Sequence, residues 1–176
     1  PHLEFLDLSI VFQCLVEDKE IGTATTLIHN AHAKLWGVSV GELHSAAVRN
    51  TPKLLGYEIK GLWEMLHEIM QEENFPEEPE YGVPLYLLSN RCRVNGAACI
   101  LYPNLLKDFS EALGSRFYII PSSVHGVLFL PADDTDRSGE LRETIKEVND
   151  TQLIPEEILS YSLYYYDRET DEIRIA

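Results

Sequence analysis

Ser122, Ser123 and His125 place two hydroxyls beside an imidazole, the groups that a nucleophile and its general base require. The context argues against an acyl-transfer site. A nucleophile elbow is Gly-x-Ser-x-Gly between a strand and a helix, whereas Ser122 follows Pro121 and the chain re-enters an apolar, strand-like run at Val127. A turn whose hydroxyls bond to the loop backbone is the default reading, with a hydrolase using His125 and Ser122 or Ser123 as the enzymatic alternative.

Three other groups of residues have chemical potential. His29 and His32, three apart, would ligate a metal if one helix face carried both and a further Asp, Glu or His44 joined them. Arg91 and Arg93 are cations in an acidic chain and flank a polar stretch with Asn90 and Asn95. If the protein binds a small polar or anionic ligand, Asn90, Arg91, Asn95, Ser122 and His125 are the loop residues expected to meet it. Tyr161, Tyr164, Tyr165 and Tyr166 give the last hairpin aromatic groups on both faces, so one face is expected to pack inside and the other either to border the helices or to serve a homo-oligomer contact through Tyr161 to Tyr166.

Cys14, Cys92 and Cys99 form no C-x-x-C pair and no even-numbered framework, so neither a disulfide scaffold nor a structural zinc site is implied. Cys14 and Cys99 read as apolar fillers, and no basic cluster beside any of the three marks a catalytic thiolate. The sequence implies no cofactor.

The elements that must position these groups are legible from period and punctuation. Leu8 to Val16 reads as a central strand paired with Thr23 to Ile28. Ser39 and Glu42 match a capping box, so a helix should start at Val40 and finish near Asn50, because Pro52 biases Thr51 away from the α region. A second helix is expected from Gly61 to Gln71. Residues 72–80 hold five Glu and two Pro without a basic residue, the composition of a solvated acidic linker.

Leu85 to Ser89 resumes a strand pattern. Asn95-Gly96 is a strong turn signal, Ala97 to Leu101 reads as a short apolar strand, and Pro103 opens a helix that Gly114 should stop. Phe117 to Ile120 and Val127 to Leu130 form a strand pair, a helix with Leu141, Ile145 and Val148 on one face starts near Ser138, and a hairpin ends the chain. Strand-strand-helix units thus recur at 8–50, 85–113 and 117–151. The expected fold class is α+β, a mostly antiparallel sheet with helices mainly covering one face, in a single domain over 1–176 with 53–80 as a helical excursion and acidic linker.

Composition bounds the function. The chain has 176 residues, 45% of them hydrophobic and 24% charged, which fits an ordinary globular domain. Asp and Glu outnumber Lys and Arg by 29 to 14, a net charge of -15 that repels a phosphate backbone or an anionic membrane. Nucleic-acid and membrane partners are therefore disfavoured, leaving an unknown protein or a small polar ligand. The unpaired cysteines, and the lack of an apolar run long enough to span a bilayer, point to the cytoplasm.

Leu8 to Phe12, Ile28 to Asn30 with Trp36 and Gly37, Asn50 to Pro52, Asn95 to Pro103, Leu113 to Ser115 continuing through Ile120 to His125, Glu147 to Asn149 and Tyr166 to Arg168 share a pattern. In these stretches the chain resembles an uncharacterised domain-of-unknown-function family found in Gram-positive anaerobic bacteria. The resemblance implies no activity. With Pro1 standing where an initiating Met is absent, it fits the C-terminal portion of a longer polypeptide. An uncharacterised binding or interaction domain is the expected function.

Overall fold

The computed structural model describes residues 1–18, 22–70, 84–132 and 136–176, and the acidic stretch 72–80 lies outside them. The chain forms two compact units, Pro1–Leu54 and Leu55–Ala176.

The first unit holds two ribbons. Strands β1 (His2–Phe5) and β2 (Leu8–Val11) pair antiparallel, as do β3 (Gln13–Asp18) and β4 (Gly22–Leu27). The apolar run expected as one central strand is therefore two, because the chain changes pairing partner at Phe12. That ring is buried, and the Phe12 carbonyl accepts from the Ile28 N–H at 2.8 Å. A short helix α1 (Asn30–Trp36) ends on Gly37 in the left-handed region (φ +67°).

Helix α2 (Val40–Leu55) begins where the capping box places it. Glu42 N–H donates to Ser39 Oγ at 3.2 Å, and Ser39 N–H donates to Glu42 Oε2 at 2.9 Å. The helix does not stop near Asn50. It runs through Pro52 to Leu55, and the stop is Gly56 (φ +59°), a conformation that residues with a β-carbon resist.

The N–H of Ser39, and after it the Ser39 hydroxyl, hold the Glu42 carboxyl below its ordinary value of 4.5. A depressed folded-state pKa means that the cap is fully formed above the unfolded value and is lost as pH falls through the folded one. In an NMR titration the Ser39 amide should therefore move with a midpoint below 4.5; a midpoint at or above that value would contradict the cap.

In the second unit β5 (Glu58–Gly61), from the stretch expected as an excursion, is an edge strand. It leads into helix α3 (Leu62–Met70). Strand β6 (Tyr86–Ser89) follows, then a 3-10 turn over Gly96–Leu101, helix α4 (Leu105–Leu113), β7 (Phe117–Ser123), β8 (Gly126–Pro131) and α5 (Ser138–Gln152). A second 3-10 turn, Pro155–Glu157, precedes the closing hairpin of β9 (Tyr164–Asp167) and β10 (Glu172–Ile175). The sheet has six strands in the order β10-β9-β7-β8-β6-β5, every pair antiparallel. The fold is α+β with mostly antiparallel sheets.

Register explains which side chains meet. Residues directly opposite each other share a face, so Phe117 with Tyr166, and Ile119 with both Phe129 and Tyr164, line one side. There Phe109 of α4 packs against Phe117, Phe129 and Tyr86 with ring centroids 5.2, 4.9 and 5.4 Å away. One residue on, the faces alternate: Tyr118 and Leu130 point to the other side and form a second core with Leu141 and Ile145 of α5 and with Leu163. Helix cover is thus shared between the faces, α4 on one and α5 on the other.

Ala97 to Leu101 is not a strand, so the middle strand-strand-helix unit has one strand. Ala97, Cys99 and Ile100 are buried, with Ala98 exposed, in the 3-10 turn, whose Ala97 N–H reaches the Val124 carbonyl at 3.2 Å. A five-residue apolar run carries too few periods to separate the two conformations. Gly96 settles the path by close approach. A β-carbon there would sit 2.7 Å from the Asn90 nitrogen and overlap Ser89 Oγ and the His125 carbonyl.

Candidate functional site

The five residues expected to meet a ligand fall in two places. The first is the loop end of β6 against the β7–β8 turn. Asn90 is almost wholly buried and spends its amide on the adjacent loop: Nδ2 donates to the Val94 carbonyl at 2.8 Å and Oδ1 accepts from the Val94 N–H at 3.3 Å. Asn95, left-handed at φ +54°, donates its backbone N–H to His125 Nδ1 at 3.1 Å. Ser89 Oγ donates to the His125 carbonyl at 2.7 Å. Arg91 is exposed, and its guanidinium lies over Gly56.

These contacts fix the His125 tautomer. An Nδ1 that accepts an N–H carries no proton, so the proton is on Nε2, which faces Glu157 Oε1 at 3.9 Å. A general base needs its lone pair on the nucleophile, and here the backbone of Asn95 occupies it. Ser123 Oγ in turn accepts the His125 backbone N–H at 3.1 Å. Ser123, His125 and Glu157 are brought together, but as a latch that joins the turn to the loop. Ser122 is not part of it.

His29 precedes α1, and its N–H donates to His32 Nδ1 at 3.2 Å; His32 then stacks on Trp36. Among the described residues no group of three or more His, Cys, Asp or Glu is placed to hold a metal ion. Cys99 is buried, which pushes its thiol up to about 11 and keeps it protonated, while Cys92 is exposed. Tyr164 and Tyr166 are buried, Tyr165 packs against Tyr118, and Tyr161 is exposed with its hydroxyl on Asp150.

The second place is a cleft of about 240 Å³ between α5 and the sheet. Leu85, Ile120, Leu128 and Leu130 form the sheet wall; Leu141, Ile145 and Val148 form the helix wall. Four polar side chains reach it, those of Ser122, Arg137, Thr144 and Asn149. Thr144 Oγ1 is spent on the Glu140 carbonyl at 3.0 Å, and Arg137 Nε stands 3.6 Å from Glu140.

Asn149 differs. Its side chain is 2% exposed, and Nδ2 donates to the Ser160 carbonyl at 2.9 Å. That partner fixes the amide orientation, because a flipped amide would set two oxygens against each other. Among the described residues no buried side-chain nitrogen or oxygen lacks a hydrogen-bond partner. Ser122 was legible as a candidate and Asn149 was not. The available signal was its spacing: it stands four residues after Ile145 and eight after Leu141, on the apolar stripe of α5.

The fold and this cleft define a class: an antiparallel α+β domain with an apolar recess beneath one helix. The chain belongs to a family of unknown function, DUF5688, whose model matches residues 1–168. No curated protein matches the chain, and no solved structure does. Among the described residues no helix is long and apolar enough to cross a membrane.

Proposed function

We propose that the chain is a non-catalytic binding domain whose ligand enters the cleft between α5 and the sheet. The observation that carries this reading is an apolar recess of about 240 Å³ whose lining includes two polar residues from opposite walls, Ser122 of the sheet and Asn149 of α5. Ligand sites have this make-up: mostly apolar walls with a few convergent polar atoms. A hydrolase using His125 lacks the same support, since its ring nitrogen is bonded to Asn95. Three unpaired cysteines and the resemblance to a family of Gram-positive anaerobic bacteria favour a bacterial, cytoplasmic setting.

Xenon tests the recess without presuming a ligand, because it partitions into apolar cavities. Under xenon pressure, amide shifts should concentrate at Ile120, Ser122, Ile145 and Val148; a spectrum unchanged at these positions overturns the reading.

A protein partner is the second reading, favoured by the first unit. There Phe12 and Ile28 are the buried hydrophobic residues among those described, while Val11, Val16, Leu35, Trp36 and Leu54 stay exposed. A unit of this size needs more burial than that. Sedimentation of the full chain should show concentration-dependent association if the partner is a second copy, and a monomer throughout removes that partner.

A further inference from the structure

In the second unit, we infer that the outer edge of β10 is a docking surface for the β10 of a second copy, added antiparallel about a two-fold axis through Ile173. Among the described residues β10 is the outermost strand at its end of the sheet, and Glu172, Arg174 and Ile175 are exposed on it. Edges are ordinarily blunted by a bulge, by proline, by lysine or by a covering element. Strand β10 runs in unbroken register with β9 and holds neither proline nor lysine, whereas β5 at the other end carries Lys60 and turns at once into α3.

Hydrogen-bond phase sets the possible registers. Ala176 N–H donates to the Leu163 carbonyl at 2.9 Å, one residue past the Ile175–Tyr164 pair, so Ala176, Arg174 and Glu172 turn their backbone groups toward β9. Ile173 and Ile175 turn theirs out. A two-fold axis falling between residues would set an outward residue against an inward one, so the axis passes through one residue.

Charge then selects among these positions. An axis at Glu172 sets that carboxylate against its own copy, and an axis at Arg174 does the same with two guanidiniums; like charges directly opposite repel. An axis at Ile175 sets Arg174 opposite Ala176 and gains no ion pair. An axis at Ile173 sets Glu172 opposite Arg174 of the second copy twice over, with Ile173 on Ile173 between them. The two charged pairs fall at non-bonded positions, where side chains come closest.

Within one copy the same side chains are arranged for this contact. Glu172 stands directly opposite Asp167, carboxylate against carboxylate, while Arg174 bonds Asp167 at 3.1 Å. The Arg174 guanidinium is held 5.0 Å over the Tyr165 ring, and its five-donor fork keeps N–H groups for a second carboxylate. Glu172 therefore gains from a second copy the cation that its own sheet gives to Asp167. On the other face Ile173 and Ile175 lie opposite the buried Tyr166 and Tyr164, so the contact also extends an apolar surface.

The test is sedimentation of the full chain at up to about 1 mM, where a weak contact is populated. It compares the wild type, Glu172→Arg, Arg174→Glu and an equimolar mixture of these two variants. The wild type should dimerise reversibly. Each variant alone opposes like charges at both contacts and should associate about tenfold more weakly, while the mixture restores two Glu–Arg pairs and recovers the wild-type association. Ile173→Pro removes an outward N–H and leaves the bonds to β9, so it should keep the far-ultraviolet spectrum and stay monomeric. A wild type that is monomeric throughout overturns the proposal. So does association that survives Ile173→Pro or either charge variant, because the contact then lies elsewhere, and a mixture no stronger than its components overturns the register.

Discussion

Gly96→Ala is expected to destabilise the second unit by about 3 kcal/mol, at the upper end of what overpacking costs, because the added carbon meets atoms that cannot step aside. Two of the three, the Asn90 nitrogen and the His125 carbonyl, belong to backbone one residue beyond the ends of β6 and β8. The methyl would have to push the 3-10 turn off the β7–β8 turn, breaking the Ala97 to Val124 bond and the Asn95 to His125 bond together. Gly139→Ala is the opposite case. Gly139 lies inside α5 with nothing within 4 Å of a new β-carbon, so alanine there should stabilise by about 0.5–1 kcal/mol through helix propensity. Urea midpoints for the two variants should move in opposite directions. Equal shifts would mean that Gly96 is not a contact point.

Phe129→Ala should be costlier, about 3–5 kcal/mol, since it empties the middle of the aromatic core. The ring is fully buried and lies between Phe109 and Phe117 at 4.9 and 4.7 Å. Domains have only about 5–15 kcal/mol in total, so the variant should lose near-ultraviolet circular dichroism well below the wild-type melting temperature. Tyr161→Ala removes an exposed ring whose hydroxyl reaches Asp150 at 3.0 Å, and should shift the midpoint by less than about 1 kcal/mol. A Phe129→Ala protein that melts like the Tyr161→Ala protein would contradict the packing described.

Local chemistry was legible where it acts within a few residues. The Ser39–Glu42 box, the Gly114 stop after α4 and the stripe of Leu141 and Ile145 all declare themselves in sequence, because each is a contact within one or two helical turns. What stayed hidden depends on neighbours distant in the chain. Phe12 splits one apolar run into two strands because Ile28 bonds to it across the fold. Ala97 to Leu101 turns where Ser89 and His125 approach Gly96, residues 7 and 29 positions away. Asn149 is a binding candidate only once the fold sets it across the cleft from Ser122. His125 was singled out for its imidazole, but the partner of its ring is a backbone group, and side-chain identities carry no sign of that.

The strand order also dictates how the second unit can assemble. Strands β7 and β8 adjoin in the sheet and in the chain, with two residues between them, whereas β6 and β9 reach that pair only across long loops. Closing a long loop early costs entropy that no contact yet offsets. The β7–β8 hairpin therefore nucleates the sheet, and Val124 and His125 at its tip become the template on which the preceding loop docks. Substitutions at this tip should slow refolding, while those on β5, an edge strand that pairs with β6 alone, should act mainly on unfolding.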